Sequence, residues 1–132
     1  MIRHLLRAKK VNIMGIRENL KRGTVEMLIL FLLSKKDMYG YELSKTLSDK
    51  SGGLYEIQEG SMYPTLYRLI EKKYISDSKK LIGKRRTRVY YHIEDAGKDY
   101  LEAILAEYKT LNDGISMIIA SDFSDVLSAE EE

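Results

Sequence analysis

The stretch EGSMYPTLYRLIEKKYI, residues 59 to 75, carries the pattern on which the fold assignment depends. Its apolar residues share one stripe of a helix, which consists of Met62, Leu66, Leu69 and Ile70. The opposite stripe is polar, aromatic and basic, and consists of Ser61, Tyr63, Pro64, Thr65, Tyr67, Arg68 and Lys72. If Ser61 caps the helix, Pro64 lies in the first turn, where a missing N–H costs no helical hydrogen bond. We therefore predict an amphipathic helix that begins near Ser61.

The spacing of the apolar residues changes directly after this helix. Residues 74–78 and 87–93 are rich in β-branched and aromatic residues and flank Gly83, which favours a β-hairpin. The tip and the strand that leaves it are basic, with Lys84, Arg85, Arg86 and Arg88. Because successive side chains of a strand point to opposite faces, we expect Arg86 and Arg88 on the same face.

The sequence before residue 59 predicts two more helices. Residues 24–33, TVEMLILFLL, are apolar nearly all round, which is typical of a helix buried in the core. A second helix is predicted over residues 41–49, and residues 54–57 are predicted to be briefly extended. Three helices followed by a hairpin form the layout of a winged helix-turn-helix. We predict a mainly α fold with a small β-hairpin (α+β), in which residues 23–93 are the winged helix-turn-helix domain.

A further periodic segment runs from about residue 95 to residue 119. Its apolar residues step by three and four and form a heptad seam of Leu101, Ile104, Leu105, Tyr108, Leu111, Ile115 and Ile118. A helix that follows a completed small domain has no surface of its own for so long an apolar edge. We therefore predict a homodimer, with residues 94–121 as the dimerisation helix and residues 122–132 as an acidic tail. Packing of this helix on its own domain alone remains the alternative.

The charges are distributed unevenly, although 22 Lys and Arg against 20 Asp and Glu leave a total of only +2. Residues 1–22 carry a net +6 and residues 79–93 another +6, whereas residues 23–78 carry −1 and residues 94–132 carry −9. This pattern indicates a basic region that meets a polyanion and an acidic end that lies away from it. Taken alone, each basic run could equally be a solvated surface.

Several functional classes are excluded by composition. A chain of 132 residues fits one domain, and the absence of Cys excludes disulfides, thiolate nucleophiles and cysteine-ligated metals. The longest apolar run, residues 27–33, is too short to span a bilayer, so we expect no membrane contact and a cytoplasmic location. The only histidines are His4 and His92, and no catalytic carboxylate pair or phosphate loop is recognisable. We expect no enzyme activity, no metal and no cofactor.

Four segments of the chain resemble the PadR-like family of transcriptional regulators. They are RENLKRGTVEMLILFLL at 17–33, MYGYEL at 38–43, EGSMYPTLYRLIEKKYI at 59–75 and GKRRTRVYYHIEDAGKDYL at 83–101. The Gly-Tyr-Glu of the second and the Tyr-Pro of the third are more specific than a general helix-turn-helix pattern. The resemblance implies a homodimeric winged-helix repressor, in which the wing follows the recognition helix and one C-terminal helix exchanges contacts across the dimer.

The chain departs from the family pattern at three places. The family commonly has His where Tyr39 stands, Gly where Lys73 or Tyr74 falls, and Thr near Glu94. The last change affects only the cap of the C-terminal helix. In addition, Met-Gly-Ile-Arg at residues 14–17 resembles a usual start of these proteins, so the basic N-terminal segment, residues 1–22, is expected to include an extension over residues 1–13.

The predicted partner is double-stranded DNA with an inverted-repeat operator. The third helix would enter the major groove with the exposed stripe that contains Ser61, Tyr63 and Tyr67, and Arg68 and Lys72 would anchor the backbone. The wing would contact phosphates or a minor groove. Weaker candidates for backbone contact are Lys21, Arg22, Tyr39 and Tyr41.

Two further hypotheses remain open on the sequence. A small aromatic effector is a candidate partner, because relatives often sense such compounds at the dimer interface and Tyr100, Tyr108 and Met117 lie on or near the long helix. Aromatic residues and methionine at helical spacing are, however, more often core. The second hypothesis is a winged-helix module that binds protein and not nucleic acid, which would need an exposed apolar patch on the third helix.

Overall fold

The described part of the chain contains five α-helices and a small three-stranded antiparallel sheet. The structure is a computed structural model that describes residues 11–131, with side chains up to residue 122. In chain order the elements are α1 (Ile13–Lys21), α2 (Thr24–Leu33), β1 (Met38–Tyr39), α3 (Gly40–Lys50), α4 (Glu59–Glu71), β2 (Ile75–Ile82), β3 (Arg86–Ile93) and α5 (Asp95–Glu131). This α+β winged-helix arrangement confirms the predicted fold class.

Helix α2 lies at the centre of the core and has the bounds predicted from its apolar composition. It begins after Gly23, whose φ of 81° is a conformation that glycine adopts at little cost. Five of its ten residues are buried: Met27, Ile29, Leu30, Leu32 and Leu33. Helices α3 and α4 and the sheet contribute the other main core residues, which include Leu43, Leu47, Met62, Leu66, Leu69, Tyr91 and Ile93.

Helix α4 begins at Glu59, two residues earlier than predicted, and its N-cap is Gln58. Pro64 therefore lies in the second turn, and the prediction that it occupies the first turn is wrong. Its missing N–H deprives the Gly60 carbonyl of a helical partner. Because Gly60 is exposed, water can satisfy that oxygen, and the proline is tolerated inside the helix.

The sheet has the order β1-β3-β2. Strands β2 and β3 form a hairpin whose pairing runs from Ile75 opposite Ile93 to Ile82 opposite Arg86, so both strands are longer than predicted. The short strand β1 joins this hairpin by pairing with β3. Residues 54–57, predicted to be briefly extended, form no strand. The Ser51 hydroxyl accepts a hydrogen bond from the backbone N–H of Tyr55, and residues 54 and 55 form a bend.

The end of α4 has an unusual residue in the left-handed backbone region. Lys73 has φ 62°, and it is the only described residue other than glycine with a positive φ. The N–H of Tyr74 donates to the Leu69 carbonyl at 3.0 Å, and the N–H of Lys73 donates to the Ile70 carbonyl at 2.9 Å. These two bonds define a Schellman cap, in which glycine is the usual residue at the Lys73 position.

Replacing Lys73 with glycine is expected to stabilise the protein by about 1 kcal/mol, because a side chain in this conformation costs about 1–2 kcal/mol. Chemical denaturation measures the free energy of unfolding directly. Lys72→Gly is the matched control, because Lys72 has φ −77° and a right-handed conformation. It should leave stability unchanged or lower it. A Lys73→Gly variant no more stable than the unaltered protein would contradict the assignment of strain to this position.

The first turns of α5 are joined tightly to the winged-helix domain. The Tyr100 hydroxyl donates to Glu26 Oε1 at 2.6 Å, and this hydrogen bond raises the pKa of Tyr100 to about 12. The Tyr100 ring stacks on Tyr74 with centroids 4.6 Å apart. Gly97 is buried against the Tyr74 carbonyl, where the structure leaves no room for a side chain. The start of α5 therefore has a fixed orientation relative to α2 and to the end of α4.

Beyond these turns, α5 leaves the domain and presents its apolar stripe to solvent. Leu101 is the exception, because it is only 7 % exposed and packs in the core of its own chain. Its assignment to the dimer seam is therefore wrong, and the exposed stripe begins at Leu105 after the half-buried Ile104. The helix runs to Glu131 and does not end near residue 121, so the acidic tail continues it.

Helix α1 was not predicted, because residues 1–22 were interpreted from the sequence only as a basic segment. Asn12 caps it by accepting a hydrogen bond from the Gly15 N–H at 3.1 Å. None of its residues is buried, and Ile13, Ile16 and Leu20 are exposed at helical spacing. The extension predicted over residues 1–13 lies outside the described residues except for its last three.

Candidate nucleic-acid interface

The exposed face of α4 carries most of the side chains predicted to contact DNA. Ser61, Pro64, Tyr67, Arg68 and Lys72 are all exposed. Thr65 is not, because it follows the core residue Met62 by three positions and is only 7 % exposed. Its hydroxyl oxygen accepts a hydrogen bond from Arg68 Nη2 at 3.2 Å. The placement of Thr65 on the exposed stripe is therefore wrong, although its hydroxyl contacts the exposed Arg68.

Tyr63 lies on the edge of this face and is held by its own helix. Its hydroxyl donates to Glu59 Oε1 at 2.8 Å, and this bond raises the pKa of Tyr63 to about 12. Its ring stacks on Tyr67 with centroids 6.1 Å apart. A Cβ at Gly40 would come within 3.2 Å of the Tyr63 hydroxyl, so glycine at the start of α3 lets the two helices approach at this point.

The wing presents a concentrated positive charge. Strands β2 and β3 are joined by a three-residue tip, Gly83 to Arg85. The predicted wing residues Lys84, Arg85, Arg86 and Arg88 are all exposed. None of the four forms an ion pair with another residue that the structure describes. These cations are therefore available to an external anion.

Part of this charge lies over aromatic rings on the outer face of the sheet. Arg88 Cζ lies 4.3 Å from the centroid of the Tyr39 ring, and Lys80 Nζ lies 4.5 Å from that of Tyr90. The two rings meet edge to face with centroids 5.4 Å apart. We call these four residues, Lys80, Tyr90, Tyr39 and Arg88, the cation–tyrosine layer. Lys80 and Tyr90 were not among the predicted site residues, because their place beside Arg88 and Tyr39 follows from the strand register.

The weaker candidates for backbone contact divide into two groups. Tyr41 is exposed and stacks on Tyr39 with centroids 6.5 Å apart, so it extends the cation–tyrosine layer. Arg22 is also exposed. Lys21, in contrast, donates to the Glu56 carbonyl and pairs with Glu18 at 3.5 Å. Its charge is already used within the chain, which argues against a contact with DNA.

The three residues predicted to line an effector pocket do not meet within the single chain. Tyr100 uses its hydroxyl and its ring in the contacts with Glu26 and Tyr74. Tyr108 lines a cavity of about 280 Å³ that also includes Leu20. Met117 lies nine residues further along α5, on the opposite side of the helix and about 13 Å away along its axis. Within one chain these three residues therefore form no common pocket, and the effector pocket at the dimer interface stays a prediction.

Other kinds of site find no support in the part of the chain that the structure describes. No three side chains of His, Asp or Glu lie close enough together to hold a metal ion there. No helix in that part combines the length and the apolar character needed to cross a bilayer.

The arrangement of the exposed helix α4 beside a basic wing agrees with the comparisons with known proteins. The family model described as "Transcriptional regulator PadR-like family" matches residues 29–103, from the core helix to the first turns of α5. This chain belongs to the PadR-like family. The family is one of transcriptional regulators, which confirms the resemblance found in the sequence.

Individual relatives of this PadR-like chain cover most of its length. A protein of Lysinibacillus sphaericus, described only as "Uncharacterized protein X", is 30 % identical over 104 residues, which are 79 % of this chain and 95 % of that protein. A transcriptional regulator from Clostridium thermocellum is 34 % identical, and its solved structure has a TM-score of 0.68 over 74 % of this chain and 92 % of that one.

One solved structure of a PadR protein contains nucleic acid. It is Bacillus subtilis PadR in complex with operator DNA, which is 24 % identical and has a TM-score of 0.58. The comparison covers 62 % of this chain and 46 % of that one. At this level of identity the likeness concerns the fold.

Proposed function

We propose that this PadR-like regulator is a homodimer that binds an inverted-repeat operator in duplex DNA and represses transcription. The observation that carries the proposal is the exposed face of α4, with Tyr67 and Arg68, next to a wing whose cations pair with no described carboxylate. Helix α4 packs against β2, so helix and wing belong to one surface. The Bacillus subtilis relative crystallised with its operator supports this use of the fold.

In the proposed complex, α4 lies in the major groove and the wing lies along the adjacent backbone. Tyr67 and Ser61 are placed to approach base edges, and Arg68 is held ready for a phosphate by its hydrogen bond to Thr65. Arg86 and Arg88 share one face of β3 and can contact phosphates or a minor groove beside the half-site. Base contacts would set the sequence preference, and the basic contacts would supply most of the affinity.

The proposed dimer uses the apolar stripe that α5 leaves uncovered. Leu105, Tyr108, Leu111, Ile115 and Ile118 are between 37 % and 72 % exposed in the single chain. Soluble monomers rarely leave so extended an apolar surface in contact with water.

Helix α1 also belongs to the proposed dimer interface. Its exposed Leu20 lines the same small cavity as Tyr108 of α5, so the two apolar surfaces are continuous. We propose that a second copy covers both. Two-fold symmetry then implies two inverted half-sites about 10 bp apart, or a multiple of that distance.

A small aromatic effector belongs to this proposal only as a ligand of the dimer interface. Within the single chain, Tyr108 and Met117 line different cavities. The protein-interaction module is disfavoured, because the exposed side chains of α4 are mainly hydroxyl-bearing, aromatic or basic.

Operator binding is expected to weaken steeply with salt. A dimer with about 6 to 10 phosphate contacts should lose about 10³- to 10⁵-fold in affinity between 50 and 200 mM salt. Genomic fragments selected on the protein supply the operator, and fluorescence anisotropy at several salt concentrations supplies the slope. Arg86→Ala should weaken binding to all sequences and lower the slope, whereas Lys98→Ala on α5 should change neither. A salt-independent affinity would contradict the proposed role of the wing.

A further inference from the structure

We propose that Tyr39 is a positioning residue of the DNA interface: its ring holds the Arg88 guanidinium in the orientation in which that group meets a phosphate. This inference rests on the proposed function, because it assumes that the wing contacts DNA. It assigns to Tyr39 an indirect role, through Arg88, in place of the backbone contact predicted from the sequence.

The Tyr39 ring is fixed from several directions. Its backbone pairs with Tyr90 of β3 and is also the N-cap of α3, so the main chain is held by both strand and helix. Its ring meets the Tyr90 ring edge to face at 5.4 Å and stacks on Tyr41 at 6.5 Å. Arg88 Cζ lies 4.3 Å from the centroid of this fixed ring. The tyrosine is therefore a rigid support, and the arginine is the mobile group that it orders.

Stacking leaves the hydrogen-bonding capacity of Arg88 intact. A guanidinium that lies on an aromatic ring uses its face, whereas its five N–H donors point outward in its plane. A carboxylate partner would instead occupy those donors, and Arg88 pairs with no carboxylate that the structure describes. A phosphate can therefore be bound at the edge of the guanidinium without breaking the stack.

Preordering has a direct effect on affinity. A free arginine side chain loses rotamer freedom when it binds, and this loss opposes binding. Arg88 has already lost much of that freedom on Tyr39. Lys80 is ordered in the same way on Tyr90, directly across the hairpin from Arg88. The cation–tyrosine layer thus presents two cations to the DNA in fixed positions.

A double-mutant cycle on full-length protein tests the proposal. Operator affinity is measured for the unaltered protein, Tyr39→Leu, Arg88→Ala and the double variant, with Tyr39→Phe as the variant that keeps the ring. Tyr39→Leu should weaken binding about two- to fivefold for each subunit, as expected for an exposed cation–π contact, and Tyr39→Phe should bind normally. In the Arg88→Ala background, Tyr39→Leu should have no further effect.

The salt dependence separates positioning from direct contact. Arg88→Ala removes a phosphate contact and should reduce the magnitude of the salt slope by about one for each subunit, whereas Tyr39→Leu should leave the slope unchanged. Thermal melting of each variant shows whether the fold is retained, and Tyr39→Val, which also removes the ring and suits a strand, replaces Tyr39→Leu if that variant is unstable. Tyr39→Val should then weaken binding in the unaltered background and have no further effect in the Arg88→Ala background.

Three results would overturn the inference alone while the unaltered protein still binds its operator. They are full affinity in a folded Tyr39→Leu variant, an equal effect of Tyr39→Leu with and without Arg88, and weakened binding by Tyr39→Phe. Failure of the unaltered protein to bind any selected DNA would instead overturn the proposed function, and this inference with it.

Discussion

Replacing Gly97 with alanine is expected to lower the melting temperature of the protein by about 10 °C or more. A Cβ at this position would lie 2.1 Å from the Tyr74 carbonyl oxygen and 2.9 Å from Cγ1 of Ile93. The carbonyl cannot move freely, because it accepts a hydrogen bond from the Glu94 N–H at 2.9 Å. Overpacking costs about 1–3 kcal/mol or more, and this close contact with the backbone places the cost at the upper end. In a chain of this size each kcal/mol lowers the melting temperature by about 4 °C.

Gly60→Ala is the matched control for this experiment. Gly60 also lies in a helix, but a Cβ there would have no neighbour within 4 Å. Alanine is the better helix former, so this variant should be as stable as the unaltered protein or more stable. Circular dichroism followed during heating measures both variants. If Gly97→Ala had the same melting temperature as Gly60→Ala, the close packing of α5 against the end of α4 would be contradicted.

Replacing Leu111 with glutamate is expected to convert the proposed dimer into monomers and to weaken operator binding at least about 100-fold. Leu111 is 66 % exposed in the single chain and lies in the middle of the apolar stripe of α5. In a two-fold dimer each chain would bring a carboxylate into the interface, and an unpaired buried charge costs about 3–5 kcal/mol. A loss of 1.4 kcal/mol already corresponds to a tenfold change.

Size-exclusion chromatography with light scattering measures the oligomeric state, and anisotropy measures operator affinity. Ala106→Glu is the control, because Ala106 is exposed on the opposite side of α5 and the substitution adds the same charge. It should remain dimeric. A Leu111→Glu variant that stayed dimeric, or an unaltered protein that was monomeric, would contradict the proposed seam.

The parts of the fold that were predicted correctly are those with a strong local signal. The apolar run of α2 predicts its bounds without any tertiary information. The predicted start of α4 lies two residues too far along the chain, because a proline usually lies in the first turn and the residues before Ser61 have little apolar pattern. In the structure the helix begins at Glu59 and accommodates Pro64 in its second turn. Packing of α4 on its neighbours outweighs this local preference.

The errors in the candidate site have a different origin. Thr65 and Leu101 lie at the edges of their stripes, and only the packing of neighbouring elements decides on which side such residues fall. The contact between Tyr39 and Arg88 joins residues 49 positions apart and depends on the pairing of β1 with β3. No local pattern contains that pairing. Individual basic residues of the wing were predictable, whereas the aromatic support beneath them was not.

The junction at Tyr74 and Tyr100 has a consequence for which operators the proposed dimer can accept. The start of α5 is held on the domain by the stack of Tyr100 on Tyr74, by the hydrogen bond from Tyr100 to Glu26 and by the close packing of Gly97. There is therefore no flexible linker between the seam and α4. The separation and relative rotation of the two α4 helices in the dimer are then fixed by the protein. One added base pair rotates one half-site by about 35° relative to the other. A rigid molecule cannot follow that rotation, so spacing between half-sites is discriminated without a single base contact.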